Sequence, residues 1–338
     1  MDQAIKEAEI EAGRKVAFFL DQIAAVRESL HKVVVGQDEA IDLLLMCAIT
    51  GNHALLLGVP GLAKTLMVKA LAATFRWNFN RIQFTPDLMP SDITGYELLQ
   101  TDSTGITRGQ TMAFRPGPIF ANLVLADEIN RAAPKTQSAL LEAMAELHVT
   151  VGGKTYPLEE PFLVVATQNP IEQEGTYPLP EAQLDRFTME IRIDYPTPQQ
   201  EEDIVLLTTA GQPPLPTPIM DRAQFTELRR LVSAVPVARS VVQYAVRLCG
   251  ASRPNDPRAT PHVKKYVEWG AGPRGSMFLI AAAKARALLL KRTTPIEEDI
   301  RTVAYPVLRH RIIPNYQAVG DAVDTTEIIR QLLEQVPA

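Results

Sequence analysis

Apolar positions along the chain change their period several times, and each change marks an element. In residues 1–32 apolar side chains recur at helical spacing among charges (Ile5, Ala8, Ile10, then Phe18, Phe19, Ile23, Val26, Leu30), which predicts one or two docked helices. Val33–Gln37 reads as a turn and Asp38–Ala48 as an apolar helix. Ala54–Leu57, Leu123–Ala126 and Phe162–Thr167 are unbroken apolar runs, as expected of strands buried on both faces of a parallel sheet. Asn80–Thr85, ended by Pro86, and Met189–Ile193 predict two more strands. A helix opens at Lys64-Thr65, and another at Pro134 with the stripe Leu140, Leu141, Met144 and Leu147.

Glycine and proline punctuate this pattern. Pro90-Ser91-Asp92 signals a helix start. Gly95–Pro118 carries four glycines, short β-like runs, Arg108 and Arg115, and predicts an inserted hairpin or irregular loop. His148–Leu158, with Gly152-Gly153 at its centre, predicts a β-hairpin with a two-residue turn. Tyr195-Pro196-Thr197-Pro198 marks a boundary, after which the pattern is helical apart from a Pro-rich loop at Gly211–Pro218. Gly272–Ser276 opens a long apolar helix over Met277–Leu290, and Thr294-Pro295-Ile296-Glu297 predicts a helix start capped by Thr294.

A chain of 338 residues, 46% hydrophobic and 22% charged, has the composition of an ordinary globular protein with room for two domains. A net charge of -5 does not suggest a chain built to bind a polyanion. Two distant cysteines, Cys47 and Cys249, argue against a disulfide scaffold or a cysteine metal cluster. With no secretory h-region at the N-terminus and no apolar run long enough to span a bilayer, a cytoplasmic location is expected.

The chemistry concentrates at strand ends. Gly58-Val59-Pro60-Gly61-Leu62-Ala63-Lys64-Thr65 joins a strand to a helix, so unpaired N–H groups and the positive end of the helix dipole converge where a nucleotide's phosphates could sit. Lys64 can reach the β- and γ-phosphates and the Thr65 hydroxyl can ligate Mg²⁺. Ala63 stands where the general P-loop has glycine. Asp127-Glu128 ends another buried strand, where carboxylates need a partner; Asp127 would hold the magnesium shell and Glu128 polarise an attacking water. Asn169 ends a third strand beside the same crevice, though a turn role would suit an asparagine equally. Arg186, taken alone, reads as a surface or ion-pair arginine.

The motifs G-V-P-G-L-A-K-T, A-D-E-I-N-R-A-A-P-K-T-Q-S-A-L-L-E-A-M, A-T-Q-N-P-I-E-Q-E-G-T-Y-P-L-P-E-A-Q-L-D-R-F and V-L-R-H-R-I resemble the MoxR family of AAA+ ATPases over about Val33 to Ile313. Ala63 matches MoxR-type sequences. The resemblance implies an α/β fold: an AAA+ core with a parallel five-stranded sheet over 33–196, inserts near 95–118 and 148–158, and a small all-helical lid over 197–338, with 1–32 as an N-terminal helical segment. It implies ATP and Mg²⁺ as cofactors. Val35, Gly36, Gln37, Gly58, Val59, Pro60, Gly61, Leu62, Ala63, Lys64, Thr65, Leu66 and Asp127 would contact the nucleotide, with Thr65 and Asp127 on the metal. Glu128 would be the catalytic carboxylate of Walker B, Asn169 sensor 1, Arg186 the arginine finger reaching the neighbour's ATP, and Arg274 sensor 2, acting in its own subunit or the next. A homo-oligomer, usually a hexameric ring, and a protein client such as a von Willebrand A domain protein are implied.

Three functions compete. The first is an oligomeric ATPase that remodels or matures a protein client. The second is a motor on nucleic acid, which the acidic balance and the lack of a helix-turn-helix signal disfavour. The third is a slow nucleotide-gated assembly switch, which has no need of Glu128.

Overall fold

A computed structural model describes residues 2–101, 110–171, 175–209, 211 and 214–337. The N-terminal periodicity forms one continuous helix, α1 (Asp2–Val33), followed by α2 (Asp38–Thr50). Then come β1 (Ala54–Leu57), α3 (Lys64–Thr74), β2 (Phe79–Gln83) and α4 (Pro90–Thr94). The hairpin β3 (Gly95–Thr101)–β4 (Gln110–Pro116) leads to β5 (Leu123–Asp127) and α5 (Pro134–Glu146). A second hairpin, β6 (His148–Val151)–β7 (Lys154–Pro157), precedes β8 (Leu163–Gln168), α6 (Glu181–Leu184) and β9 (Met189–Arg192).

Five strands form one sheet in the order β2-β5-β8-β1-β9, and every pairing is parallel. The apolar runs sit in its middle: every residue of β5 is buried, as are Leu163–Thr167 of β8. The flanking β2 is shorter than the sequence predicts. It ends at Gln83, three residues before Pro86, because β5 offers no partner beyond Asp127.

Past Pro198 the chain continues as α7 (Pro198–Thr209), α8 (Arg222–Ala234), α9 (Arg239–Ala251), α10 (Pro261–Tyr266), α11 (Pro273–Leu289), α12 (Glu297–Leu308), α13 (Tyr316–Gly320) and α14 (Thr325–Gln335). A short antiparallel pair, β10 (Val267–Trp269) with β11 (Ile313–Pro314), is added to these helices. Thr294 does not cap α12, contrary to the sequence reading. The helix begins at Glu297, and the buried Asp299 carboxylate accepts the Ile296 N–H at 2.8 Å while pairing with Arg286 and Arg292. Two arginines that converge from elsewhere move the cap inward, a competition no local motif shows.

Helices α1, α2 and α3 share one apolar core with α8, α9, α11, α12 and α14. Phe225 of α8 is wholly buried and lies 4.9 Å from Phe75 and 4.6 Å from Trp77, ring centre to ring centre. Helix α8 is thereby anchored beside the C-terminal end of α3. A second core, on the opposite face of the sheet, gathers Ile82, Phe84, Ile93, Leu140, Leu141 and Val149 with the even-numbered positions of β5 (Val124, Ala126) and β8 (Val164, Ala166).

The two inserted hairpins touch. Phe114 stacks on Tyr156 at 3.9 Å between ring centres, and Lys154 faces Glu97 at 4.0 Å. Gly152 and Gly153 turn β6 into β7 with φ of 57° and 77°, and a Cβ on Gly152 would collide with the Glu97 carboxylate. The outer positions Tyr96, Leu98, Leu99 and Met112 are exposed. Arg108 lies outside the described residues.

The V-L-R-H-R-I stretch locks the end of α12 to the entry of β9. The side chain of Arg311, 1% exposed, donates to Asp185 Oδ1 at 2.8 Å and to the carbonyls of Asp185, Phe187, Thr188 and Val307. Removing the only carboxylate in that set leaves a buried cation without its counter-charge. Asp185→Ala is therefore expected to cost about 3 kcal/mol of unfolding free energy. Chemical denaturation checks this, with Asp185→Asn expected to lose less because it still accepts a hydrogen bond.

Candidate functional site

Strand β1 lies between β8 and β9, so its carboxyl end emerges mid-sheet and the chain must turn back over it. Gly58 allows that turn: a Cβ there would meet Ile193 at 3.0 Å. Gly61 has φ +88°, and Ala63, at φ 55° and ψ 19°, takes the left-handed position directly before α3. An alanine there costs about 1–2 kcal/mol. It sets Lys64 and Thr65 in the first turn, where N–H groups have no intrahelical partner. Lys64 Nζ donates to Gly58 O at 2.5 Å, folded over its own loop.

A cavity of about 450 Å³ opens there, lined by Pro60, Gly61, Ala63, Lys64, Thr65, Leu66, Arg81, Asp127 and Glu128. Asp127, largely buried, accepts Arg81 at 2.6 Å through Oδ2 and the Thr167 hydroxyl at 2.6 Å through Oδ1. Glu128 takes the left-handed conformation (φ 56°), which swings its side chain away from the strand line. Its Oε2 accepts Gln83 Nε2 and Arg131 Nη1, each at 2.8 Å, and its N–H donates to Thr167 Oγ1 at 2.8 Å. Thr167 thus holds both acids in register from the neighbouring strand.

Asn169 follows β8 and is buried, with Oδ1 accepting the Ile171 N–H at 3.2 Å. It shares the carboxyl edge with the acid pair but is not among the residues lining the cavity. A larger and mostly apolar cavity, about 710 Å³, adjoins through Pro60, Gly61, Ala63 and Leu66 and is lined further by Val33–Val35, Gln37, Leu62 and α7. Gln37 is fixed by its side chain, which donates to Asp194 O at 2.9 Å. Gly36 and Val59 supply backbone beside these cavities without lining them. The donor set fits a magnesium nucleotide: hydroxyl and carboxylate oxygens from Thr65 and Asp127 suit a hard cation, a helix start and Lys64 suit phosphates, and the apolar cavity suits a base.

Arg186 and Arg274 are elsewhere. Both line a cleft of about 290 Å³ with His53, Leu147, Glu160 and Arg229. His53 precedes β1, Phe162 beside it precedes β8, and Arg186 precedes β9, so this cleft lies at the amino edge of the sheet. The four residues of β1 alone separate the two edges by about 13 Å. Half-buried Arg186 donates to Leu141 O, and exposed Arg274 pairs with Asp185 Oδ2 at 3.6 Å. The structure brings Lys64, Thr65, Asp127 and Glu128 together and keeps Arg186 and Arg274 apart from them. Sequence reading missed Arg81, Gln83, Arg131, Thr167 and Arg229. The polar positions of β2, next to a strand ending in two acids, were the one available signal.

His53 is buried in the wall of this cleft, its Nδ1 accepting Val164 N at 3.0 Å and its Nε2 facing Met144 O at 3.3 Å. Burial lowers its pKa from 6.5 to about 4, against the opposing bond to Met144. Burial, with Arg311 alongside, also holds His310 well below the ordinary value.

The family model described as "ATPase family associated with various cellular activities (AAA)" matches residues 53–189, and one described as "AAA lid domain" matches 260–332. The chain is 42% identical over 307 residues to Chaperone MoxR1 of Mycobacterium tuberculosis, covering 91% of this chain and 80% of that one. It is 32% identical over 336 residues to Protein MoxR of Methylorubrum extorquens, covering 94% and 95%. A Cytophaga hutchinsonii protein whose crystal structure is described as that of a candidate ATPase superposes with TM-score 0.90 at 41% identity, covering 98% of both chains.

Between pH 6.5 and 4 the unfolded chain binds a proton at position 53 that the native state refuses. Stability from this group is complete above pH 6.5 and is lost as pH falls toward 4, by about 3 kcal/mol. Unfolding free energy measured from pH 7 to 4.5 should therefore fall, and His53→Gln should flatten the slope in part, His310 keeping the remainder.

Proposed function

This chain belongs to the MoxR family of AAA ATPases, and from that premise we infer a homo-oligomeric, Mg-dependent ATP hydrolase that remodels or matures a protein client. ATP hydrolysis is the activity of the family; ring assembly, magnesium and the client are our proposal. The observation that supports it is the division of the site within one subunit: the phosphate cradle lies at the carboxyl edge of the sheet and the arginines at the amino edge. Apposing the carboxyl edge of one copy with the amino edge of the next completes the site, and repetition of that head-to-tail contact closes a ring, with six copies as in the family.

Bound Mg-ATP supplies the transferable phosphoryl group and the charge that spreads over it. The α3 start and Lys64 hold the phosphates, and the Thr65 hydroxyl and Asp127 carboxylate hold the cation. Arg81, now paired with Asp127, yields that oxygen. Glu128, oriented by Gln83 and Arg131, takes the proton of the attacking water, and Asn169 orients the same water from the end of β8. The large cavity by Val35, Gly36, Gln37 and Leu62 receives the base. Arg186, with Arg274, neutralises charge on the neighbour's phosphates. We assign 33–196 to the ATPase core, 197–338 to the lid and 1–32 to an N-terminal segment built into their shared core. The coupled hairpins, with exposed Leu98, Leu99 and Met112, face the client. A von Willebrand A domain is the client class to test first, and no nucleic acid partner is expected of an acidic chain.

Lys64→Ala should abolish tight ATP binding. Glu128→Gln should keep ATP bound and cut hydrolysis by about a hundredfold or more, since the shape survives and the base is lost. A nucleotide-binding assay paired with phosphate release decides this, and near-parental turnover in Glu128→Gln would remove that residue from catalysis.

Arg186→Ala should bind ATP about as well as the parent and turn over about 10³-fold more slowly. Mixed with Glu128→Gln it should regain activity that neither variant shows, because one partner brings the acid and the other the arginine. Absence of recovery, with mixed assembly shown independently, would make Arg186 an intrasubunit structural group.

A further inference from the structure

We propose that Arg229, which no sequence motif marks, is a third arginine acting on the phosphates of the neighbouring subunit's nucleotide. The proposal rests on the reading that Arg186 acts across the subunit interface. Arg229 belongs to α8 and lines the same cleft as Arg186 and Arg274. Its side chain is 31% exposed, partly desolvated yet open to a partner.

Two features place it. Phe225, one helical turn earlier, is fully buried between Phe75 and Trp77, which fixes where α8 presents position 229. Gly51 then lets the guanidinium lie flat over the end of α2: a Cβ at 51 would stand 2.4 Å from Arg229 Nη2. Among the described residues Glu160 alone pairs with Arg229, at 3.1 Å, and that carboxylate is itself mostly exposed. Of the residues lining the cleft, three are arginines and one, Glu160, is a carboxylate. His53 in its wall stays neutral near pH 7. Asp185, outside the lining, reaches Arg274 at 3.6 Å but is shared with buried Arg311, and Arg186 donates to a backbone carbonyl, so the guanidinium groups still outnumber the carboxylates. Three guanidinium groups around a cleft of about 290 Å³ form a receptor for a multiply charged anion, and guanidinium forks match phosphate geometry. Glu160 competes with an incoming phosphate for the Arg229 guanidinium and is displaced by it.

The assignment predicts opposite outcomes for the two halves of the ion pair. Arg229→Ala should lower the ATPase kcat of the full-length protein by about tenfold or more. Nucleotide affinity at its own P-loop, measured with the Glu128→Gln background, should stay unchanged. Glu160→Gln, which breaks the same ion pair, should leave kcat at or above the parent's. Mixing Arg229→Ala with Glu128→Gln should restore activity, whereas mixing it with Arg186→Ala should not, since those two defects lie on the same edge. Equal losses in Arg229→Ala and Glu160→Gln would reduce Arg229 to a structural partner and overturn the assignment, as would a kcat within twofold of the parent. If Arg186→Ala and Glu128→Gln fail to complement in the control mixture, the interface reading itself falls, and this assignment with it. Complementation there without any defect in Arg229→Ala rejects this inference alone.

Discussion

Parallel pairing is the constraint on which this molecule depends. Five strands running the same way put all their carboxyl ends on one edge, so the P-loop, the acid pair and Asn169 converge without any long-range design. The same polarity sends every segment that enters a strand to the opposite edge. His53, Phe162 and Arg186 are such entry residues, and they line one cleft for that reason. A sheet of this kind cannot bring its own entry arginines to the cavity at its carboxyl edge; the strand length stands between them.

The second constraint is how firmly the helical half is joined to the sheet. Buried Arg311 grips the backbone from Asp185 to Thr188, and Asp185 in turn holds Arg274 at 3.6 Å. The entry to β9 and the first turn of α11 therefore move together. Phe225 against Phe75 and Trp77 makes a second joint, between α8 and the far end of α3.

Around the acid pair, hydrogen bonds rather than burial set the geometry. Thr167 bridges Asp127 and the backbone of Glu128 from the adjacent strand, and β2 contributes Arg81 and Gln83. Two carboxylates side by side would repel; each here has its own cation, Arg81 for one and Arg131 for the other.

The sequence alone determined the strand–turn–helix over residues 54–66, the buried parallel strands, the hairpin at 148–158 and the switch to helices after Pro198. These are local: unbroken apolar runs, glycine and proline chemistry and helix periodicity act within about ten residues. It also identified Lys64, Thr65, Asp127 and Glu128 as a group, because strand polarity alone brings strand ends together. Only the tertiary structure decided which polar residues support them. Register placed Gln83 opposite Asp127 and set Thr167 beside the acid pair, and no spacing in the chain encodes register between distant strands. The cap of α12 went to Asp299 instead of Thr294 because Arg286 and Arg292 meet there. Arg229 joined Arg186 and Arg274 for the same reason: helix packing, not proximity in sequence, carries α8 to the entry edge of the sheet.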